Sequence, residues 1–472
     1  MANAASRLGQ FAATLSFADL PPTAVACARR HLLDTFGVAI RGQGHETAAS
    51  SLRAMATIDG AGGGIPVWGT DRRLAAAYSA LANGIAAHVL DFDDTHTDSI
   101  VHGSAIIAPV VMALGQRRDA SGEDLIAAFV AGWEVAARVG LAAKGTFHQR
   151  GFHTTSIAGI FGAVAAASRL LGLSPAATAQ AIGLAGSQAS GINEYLSDSS
   201  SAKSLHVGWS AHAGMLAASL AQSGMTGPAS VFEGRDGLLR THGIREHADP
   251  AALAADLGTR WEISRISIKP YPCCHFAHAF IDCVGALAAR GIGPSDIASI
   301  ECVVPEIERP LICEPFGEKL RPASPYAAKF SLPFLVASRI VEGSIGHRTF
   351  EARNLKRADI LDLAARVSYR IAAHGETPFP RTFPGWVEAR LVDGRTIVER
   401  MDVNAGHPDN PLAGEQVEAK FLDNTREALG EAGAKRVVEL VAELPATSPM
   451  RLAGALSAAS LHVSQPDRRK AS

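Results

Sequence analysis

At 472 residues, 47% apolar and 19% charged, the chain is long enough for two or three packed domains and too apolar to remain disordered. A net charge of −2 offers no basic footprint for nucleic acid and no polybasic patch for a membrane surface. The start, MANAASRLGQFAATLSFADL, has no apolar run behind a charged head, so no secretory signal is expected. Six cysteines (Cys27, Cys273, Cys274, Cys283, Cys302, Cys313) form no C-x-x-C pair and no zinc-finger spacing, which predicts a reduced, cytoplasmic setting.

The first part of the chain is patterned as helix almost throughout. PPTAVACARRHLLDTFGVAIRG (21–42) opens on a proline pair and closes on Gly42, a matched start and stop. Helical runs follow at 71–90, 122–143, 174–190 and 210–224, so rich in Ala, Gly and Ser that the helices can approach closely. The most apolar run, 156–173, carries Arg169 and small polar residues and reads as a buried helix rather than a membrane span. The glycine-rich DGAGGGIPVWG (59–69) lacks the strand–turn–helix context of a nucleotide loop and reads as a turn.

The pattern changes at WEISRISIKPYPCCHFAHAFIDC (261–283). Strand-like runs appear at 297–305, 366–371, 385–392 and 395–402, the last two flanking the hairpin signal Asp393-Gly394. From about 412 the pattern is helical again. These changes predict a mainly α protein: a large all-helical domain from 1 to 262, a smaller α+β lid from 263 to 403, a helical return from 404 to 465, and a disordered tail over 466–472.

Four polar clusters stand out. In LDFDDTHTDSIVHGSA (90–105), a continuous helix would place Asp91, Thr95, Asp98 and His102 on one face. The crowding of Asp, Thr and Ser favours the other reading, a helix ending near Leu90 and a polar loop leading into the next helix. The D-x-D-D pattern also resembles magnesium–diphosphate sites, but no second acidic motif accompanies it. Lys203 and His206 lie at a helix start, where free N–H groups favour anions. Arg150 and His153 precede the 156–173 helix. Lys269, Cys273, Cys274, His275 and His278 sit in a proline-stiffened crossing between domains, a common place for a cleft.

Taken together, NGIAAHVLDFDDTHTDSIVHGSA, RGFHTTSIAGIFG, KSLHVGWSAHAG, KPYPCCHFAHAFID and AKFSLPF resemble the MmgE/PrpD family, in the family's order and over roughly residues 5 to 445. The resemblance implies a helical domain with a smaller α+β lid and a homodimer. It also implies an activity like that of 2-methylcitrate dehydratase, cis-aconitate decarboxylase or iminodisuccinate epimerase. Residue by residue it places the family's catalytic positions on Asp91, Thr95, His102 and Lys203. A gapless match puts Cys274 where the decarboxylases have a histidine, with His275 beside it, so Cys274, His275 and His278 stay open for that role. Gly103 stands where proline is commoner, and His148 replaces a tyrosine of some members, a departure from the epimerase.

All these reactions act on carbon next to a carboxylate, and need a tuned acid or base and cations for the carboxylates. The expectation is a lyase without metal or other cofactor, acting on a small di- or tricarboxylate. His102, Asp91, Thr95, Lys203 and His275 would be catalytic, and Lys269, His278, His153, Arg150 and His206 would bind substrate. An epimerase, a magnesium-dependent diphosphate enzyme and a non-catalytic tricarboxylate-binding protein are the alternatives. Lys269 and the crossing histidines are expected to meet the Asp91–His102 loop only when the lid closes.

Overall fold

A computed structural model describes residues 3–60, 62–198, 200–373, 375–378 and 382–457; the expected disordered tail lies outside them. The protein is mainly α, with one large helical body and a smaller α+β one. The helices that build the large body around the site are α1 (Pro22–Gly42), α2 (Ala76–His88), α3 (Ser104–Arg118), α4 (Gly122–Ala143), α5 (Thr154–Leu171) and α6 (Ala202–Gln222). Their termini follow local chemistry. Pro22 opens α1, and at α4 the Ser121 hydroxyl accepts from the Asp124 N–H at 3.0 Å while donating to its carboxylate at 2.8 Å.

The apolar helices α4 and α5 are long enough to cross a membrane, yet they pack on one another and are almost wholly buried inside the bundle. Their close approach depends on glycine: a Cβ at Gly162 would lie 2.7 Å from the Gly132 carbonyl oxygen and 2.8 Å from the Ala136 methyl.

The second body has its own core, drawn from residues between Cys273 and Leu391, whereas the large core takes residues from Ala5 to Ile268 and again from Val417 to Leu456. Strand β1 (Thr95–His96) pairs antiparallel with β2 (Ile266–Ser267), fastening the polar loop after α2 to the chain just before it leaves the large body. Helix α7 (His278–Ala289) then packs on a mixed sheet of β3 (Ile297–Val304), β4 (Val367–Ile371), β5 (Gly385–Leu391) and β6 (Thr396–Met401), ordered β4-β3-β5-β6. β3 and β4 run parallel; the other neighbours are antiparallel, and Gly394 turns the β5–β6 hairpin at φ +91°. Helix α8 (Leu332–Glu342) covers the same core. Helix α9 (Gly414–Ala442) returns to the large body and is broken at Gly430, whose φ of 68° and ψ of 166° are not helical.

Because the α4–α5 seam has no room for a side chain, Gly162→Val is expected to lower the unfolding free energy by about 1–3 kcal/mol. Denaturant unfolding measures this directly, and an unchanged midpoint would show that the seam can open to take a side chain.

Candidate active site

Helix α2 ends at His88, and the chain goes on as a loop rather than as more helix: residue 91 has φ +55°. Asp91, Thr95 and His102 nevertheless converge, because the loop folds back on itself before α3. Asp98, their partner on a notional helix face, is exposed and lies 3.6 Å from Arg265. A left-handed backbone at a non-glycine residue costs energy, and aspartate is among the residues that tolerate it best.

Three lysines hold that turn from three directions. Lys329 donates to the Leu90 carbonyl, Lys269 to the Asp91 carbonyl at 3.0 Å, and Lys420 of α9 to the Phe92 carbonyl at 3.1 Å. Consecutive carbonyls in a buried turn have no ladder partner of their own, and here each one receives an ammonium group. The Asp91 carboxylate is itself held between Lys203 at 2.7 Å and Lys269 at 3.3 Å. Burial raises its pKa, but Lys203, Lys269 and His102 outweigh burial and hold it well below the usual carboxylate range. Asp91 in turn keeps Lys203 firmly protonated despite its burial. Burial pushes Lys329 down to about 8, against the pull of Asp91.

His102 lies across the loop from this pair. Its Nδ1 is 2.9 Å from the Asp94 carbonyl and 3.0 Å from the Thr95 hydroxyl, and its backbone N–H donates to the Thr155 hydroxyl at 3.1 Å. A carbonyl only accepts, so Nδ1 carries the proton and Nε2 is left with the basic lone pair. Burial drives His102 down to about 3; Asp93, 4.0 Å away, opposes this, while Lys269, His88 and Lys203 add to it. At neutral pH His102 is therefore an unprotonated imidazole with one free nitrogen.

Around it runs a band of rings. His88 donates from Nδ1 to the Asp93 carboxylate at 2.7 Å, and its buried Nε2 has no partner. Its ring centroid is 5.2 Å from His102 and 5.5 Å from His153. His153 and His206 meet Nδ1 to Nδ1 at 3.4 Å, beside Tyr195. His275 accepts from the Asn404 amide at 3.1 Å, and His278 stands 4.8 Å from it, ring to ring. Asp94 joins Ser104 at 2.5 Å and His31 at 2.8 Å, tying the loop to α3 and α1.

Of the ten residues expected at a site, Asp91, Thr95, His102, Lys203, Lys269, His153 and His206 form this group. His275 and His278 border it from the start of the smaller body. Arg150 does not belong: it is exposed after a one-turn helix and makes no side-chain bond into the group. A second correction concerns Lys269. Expected to reach the loop only on closure, it already contacts Asp91, because the β1–β2 pairing places it there.

Sequence reasoning missed His88, Asp93, Tyr195, Tyr326, Lys329 and Lys420. A usable signal existed for two of them. His88 lies one turn before Asp91, Lys329 stands within AKFSLPF, and an ionisable group in an apolar run must find a partner.

Among the described residues, no three His, Cys, Asp or Glu side chains converge as metal ligands. The aspartates of D-x-D-D are engaged by lysine or histidine, which leaves no free acidic pair for a magnesium diphosphate. Two cavities lie apart from His102. One of about 580 Å³ is bounded by Gly183, Ser187 and Arg235, and one of about 130 Å³ lies between Phe92, Pro272, His347 and Asn424.

The comparisons with known proteins agree with the geometry. The MmgE/PrpD N-terminal domain matches residues 6–250 and the MmgE/PrpD C-terminal domain matches residues 271–445. Relatives include proteins named cis-aconitate decarboxylase from Mus musculus, 28% identical over 88% of this chain and 85% of that protein, and from Homo sapiens, 27% identical over 91% and 89%. A third, from Aspergillus terreus, is 25% identical over 92% of each chain. The chain belongs to the MmgE/PrpD family and is an enzyme of the lyase class.

The depressed histidines predict an unusual acid response. His102 and His278 fall to about 3, and His206 and His347 to about 4, burial being the leading cause in each. Unfolded imidazoles protonate near pH ~6.5, so below that pH the unfolded chain binds more protons than the folded one. The stability these groups contribute is present above pH ~6.5 and is lost as pH falls toward the folded values, at about 1.4 kcal/mol per pH unit for a fully buried imidazole such as His278. The urea midpoint should therefore start to drop between about pH 6.5 and 5. A flat response there, with loss only in the carboxylate range, would mean that the folded protein protonates these rings freely.

Proposed function

We propose that this lyase removes CO₂ from a small unsaturated di- or tricarboxylate of the cis-aconitate type, by acid–base chemistry with no metal or organic cofactor. The observation that carries the reading is His102, with Nδ1 committed to the Asp94 carbonyl and Nε2 free, beside an aspartate held between two ammonium groups. The names borne by the relatives favour carboxy-lyase over hydro-lyase chemistry.

In this mechanism Lys203 and Lys269 bind substrate carboxylates and draw negative charge toward themselves. The C–C bond to the departing CO₂ breaks, and its electron pair moves through the adjacent double bond toward a neighbouring carboxylate. Protonated His102 then delivers its Nε2 proton to carbon, so one proton is added for each CO₂ lost. Thr95 and the Asp94 carbonyl hold the ring in place while Nε2 donates. Lysines placed before the charge develops stabilise the carbanion-like state without reorganising.

The test is a substrate panel of cis-aconitate, 2-methylcitrate, citrate and iminodisuccinate, followed by NMR before and after chelator treatment. Loss of CO₂ from cis-aconitate, insensitive to chelator, is the expected result. Dehydration of 2-methylcitrate alone, or activity abolished by chelator and restored by metal, would refute the reading. His102→Gln should reduce turnover by at least ~10²-fold with the fold intact by circular dichroism. Near-wild-type turnover would remove His102 from the chemistry.

A further inference from the structure

The charges around the turn balance before any substrate arrives. Lys203, Lys269, Lys329 and Lys420 stand against Asp34, Asp91, Asp93 and Asp94. Asp91 is shared by the first two lysines, and Asp34 is 2.7 Å from Lys420. Lysines and aspartates alone leave this set no surplus positive charge to offer an anion. A di- or tricarboxylate entering it would place further negative charge in a buried site, which is costly unless a cation pairs with it. Something must supply positive charge, and the group has an undercommitted base in place.

We propose that the site binds its polycarboxylate together with a proton, and that this proton lands on Nε2 of His102, so that the substrate itself arms the general acid. Three observations single out His102. Its Nδ1 is occupied by the Asp94 carbonyl and the Thr95 hydroxyl, so Nε2 is the only basic atom. The Asp93 carboxylate, 4.0 Å away, stabilises an imidazolium there. And 14% of the side chain remains accessible, whereas the His88 side chain is wholly enclosed. His153 and His206 face one another through Nδ1, an arrangement in which one nitrogen must lack a proton.

The charged and titratable groups that face His102 are Asp91 and Asp93 on its own loop, His88 at the end of α2, His153 at the start of α5, Lys203 on α6, and Lys269 and His275 from the crossing segment. Burial, with these cations adding to it, keeps the free ring neutral, and carboxylates settling onto Lys203 and Lys269 offset the cationic part. The low protonation tendency of His102 in the unliganded protein agrees with this order of events.

The inference rests on the polycarboxylate reading, and one experiment separates the two. Tricarballylate, a saturated tricarboxylate that has no double bond to accept electrons, is titrated into the whole protein by calorimetry. Buffers of different ionisation enthalpy are used at one pH near neutrality. The binding enthalpy should vary with the buffer, corresponding to uptake of roughly one proton per ligand, and affinity should fall about tenfold per pH unit above neutrality. In His102→Gln the ligand should bind more weakly, through the lysines alone, with the buffer dependence greatly reduced. In wild-type protein labelled at histidine, both ring nitrogens of His102 should move to imidazolium shifts on saturation, a readout that needs no variant. Binding without proton uptake, an unchanged buffer dependence in His102→Gln, or ring nitrogens that stay neutral would each overturn the inference and leave the polycarboxylate reading standing. No binding of tricarballylate or cis-aconitate would sink the polycarboxylate reading and the inference together.

Discussion

Three consecutive carbonyls in the turn that follows α2 carry the architecture of this enzyme. A turn that lies inside a protein leaves acceptors that water cannot reach, and a buried carbonyl without a partner costs about 1–3 kcal/mol. Leu90, Asp91 and Phe92 meet this demand with ammonium groups from Lys329, Lys269 and Lys420. One comes from the smaller body, one from the crossing between bodies, and one from the returning helix. The turn is therefore complete only when all three segments are folded against it. The left-handed conformation at Asp91 belongs to the same arrangement, since it presents the carbonyl and the carboxylate of one residue to Lys269 together.

The lysines that satisfy the backbone also set the chemistry. Burial, with nearby cations adding to it, holds the His102 ring deprotonated, and aspartates beside the lysines keep the total charge low. Such a site is inert toward protons from water yet responds strongly to an added anion, because charges in a poorly screened interior act at close to full strength. His88 and His102 illustrate how finely placement matters. Both lie near Asp93, but His88 donates to it directly, whereas His102 gives Nδ1–H to a backbone carbonyl and keeps Nε2 for other use.

Much of this was legible in the sequence. The change of pattern near residue 261 and the strand runs at 297–305, 366–371, 385–392 and 395–402 correspond to observed elements, because alternation and the Asp393-Gly394 turn are local signals. The end of a helix near Leu90 was also readable, since Asp, Thr and Ser prefer turns. The distant groups that the turn would face could not be read. His31 and Asp34 in α1 and Lys420 in α9 are far apart in sequence and have no shared spacing. Arg150 failed for the converse reason: its neighbours Phe152 and His153 turn inward, while a one-turn helix leaves Arg150 outside. Lys269 was expected to meet the loop only on closure because it belongs to a separate unit bordering the cleft, yet strand pairing of Ser267 with Thr95 had already placed it.

The same strand pair ties the histidine of the loop to a lysine of the crossing segment. β1 and β2 are each two residues long, yet they bring Thr95, which orients His102, within reach of the chain that carries Lys269. His96, next along β1, is fixed from behind by Glu262 at 3.1 Å, and Glu262 is held in turn by Arg260. His102 and Lys269 are thus joined through backbone pairing, backed by an ion network of His96, Glu262 and the half-exposed Arg260. Tyr195 and His275, which border the group, come from a one-turn helix and the crossing segment, whereas His278 opens α7. The turn fastened by strand pairing and the residues that border it thus come from different parts of the chain.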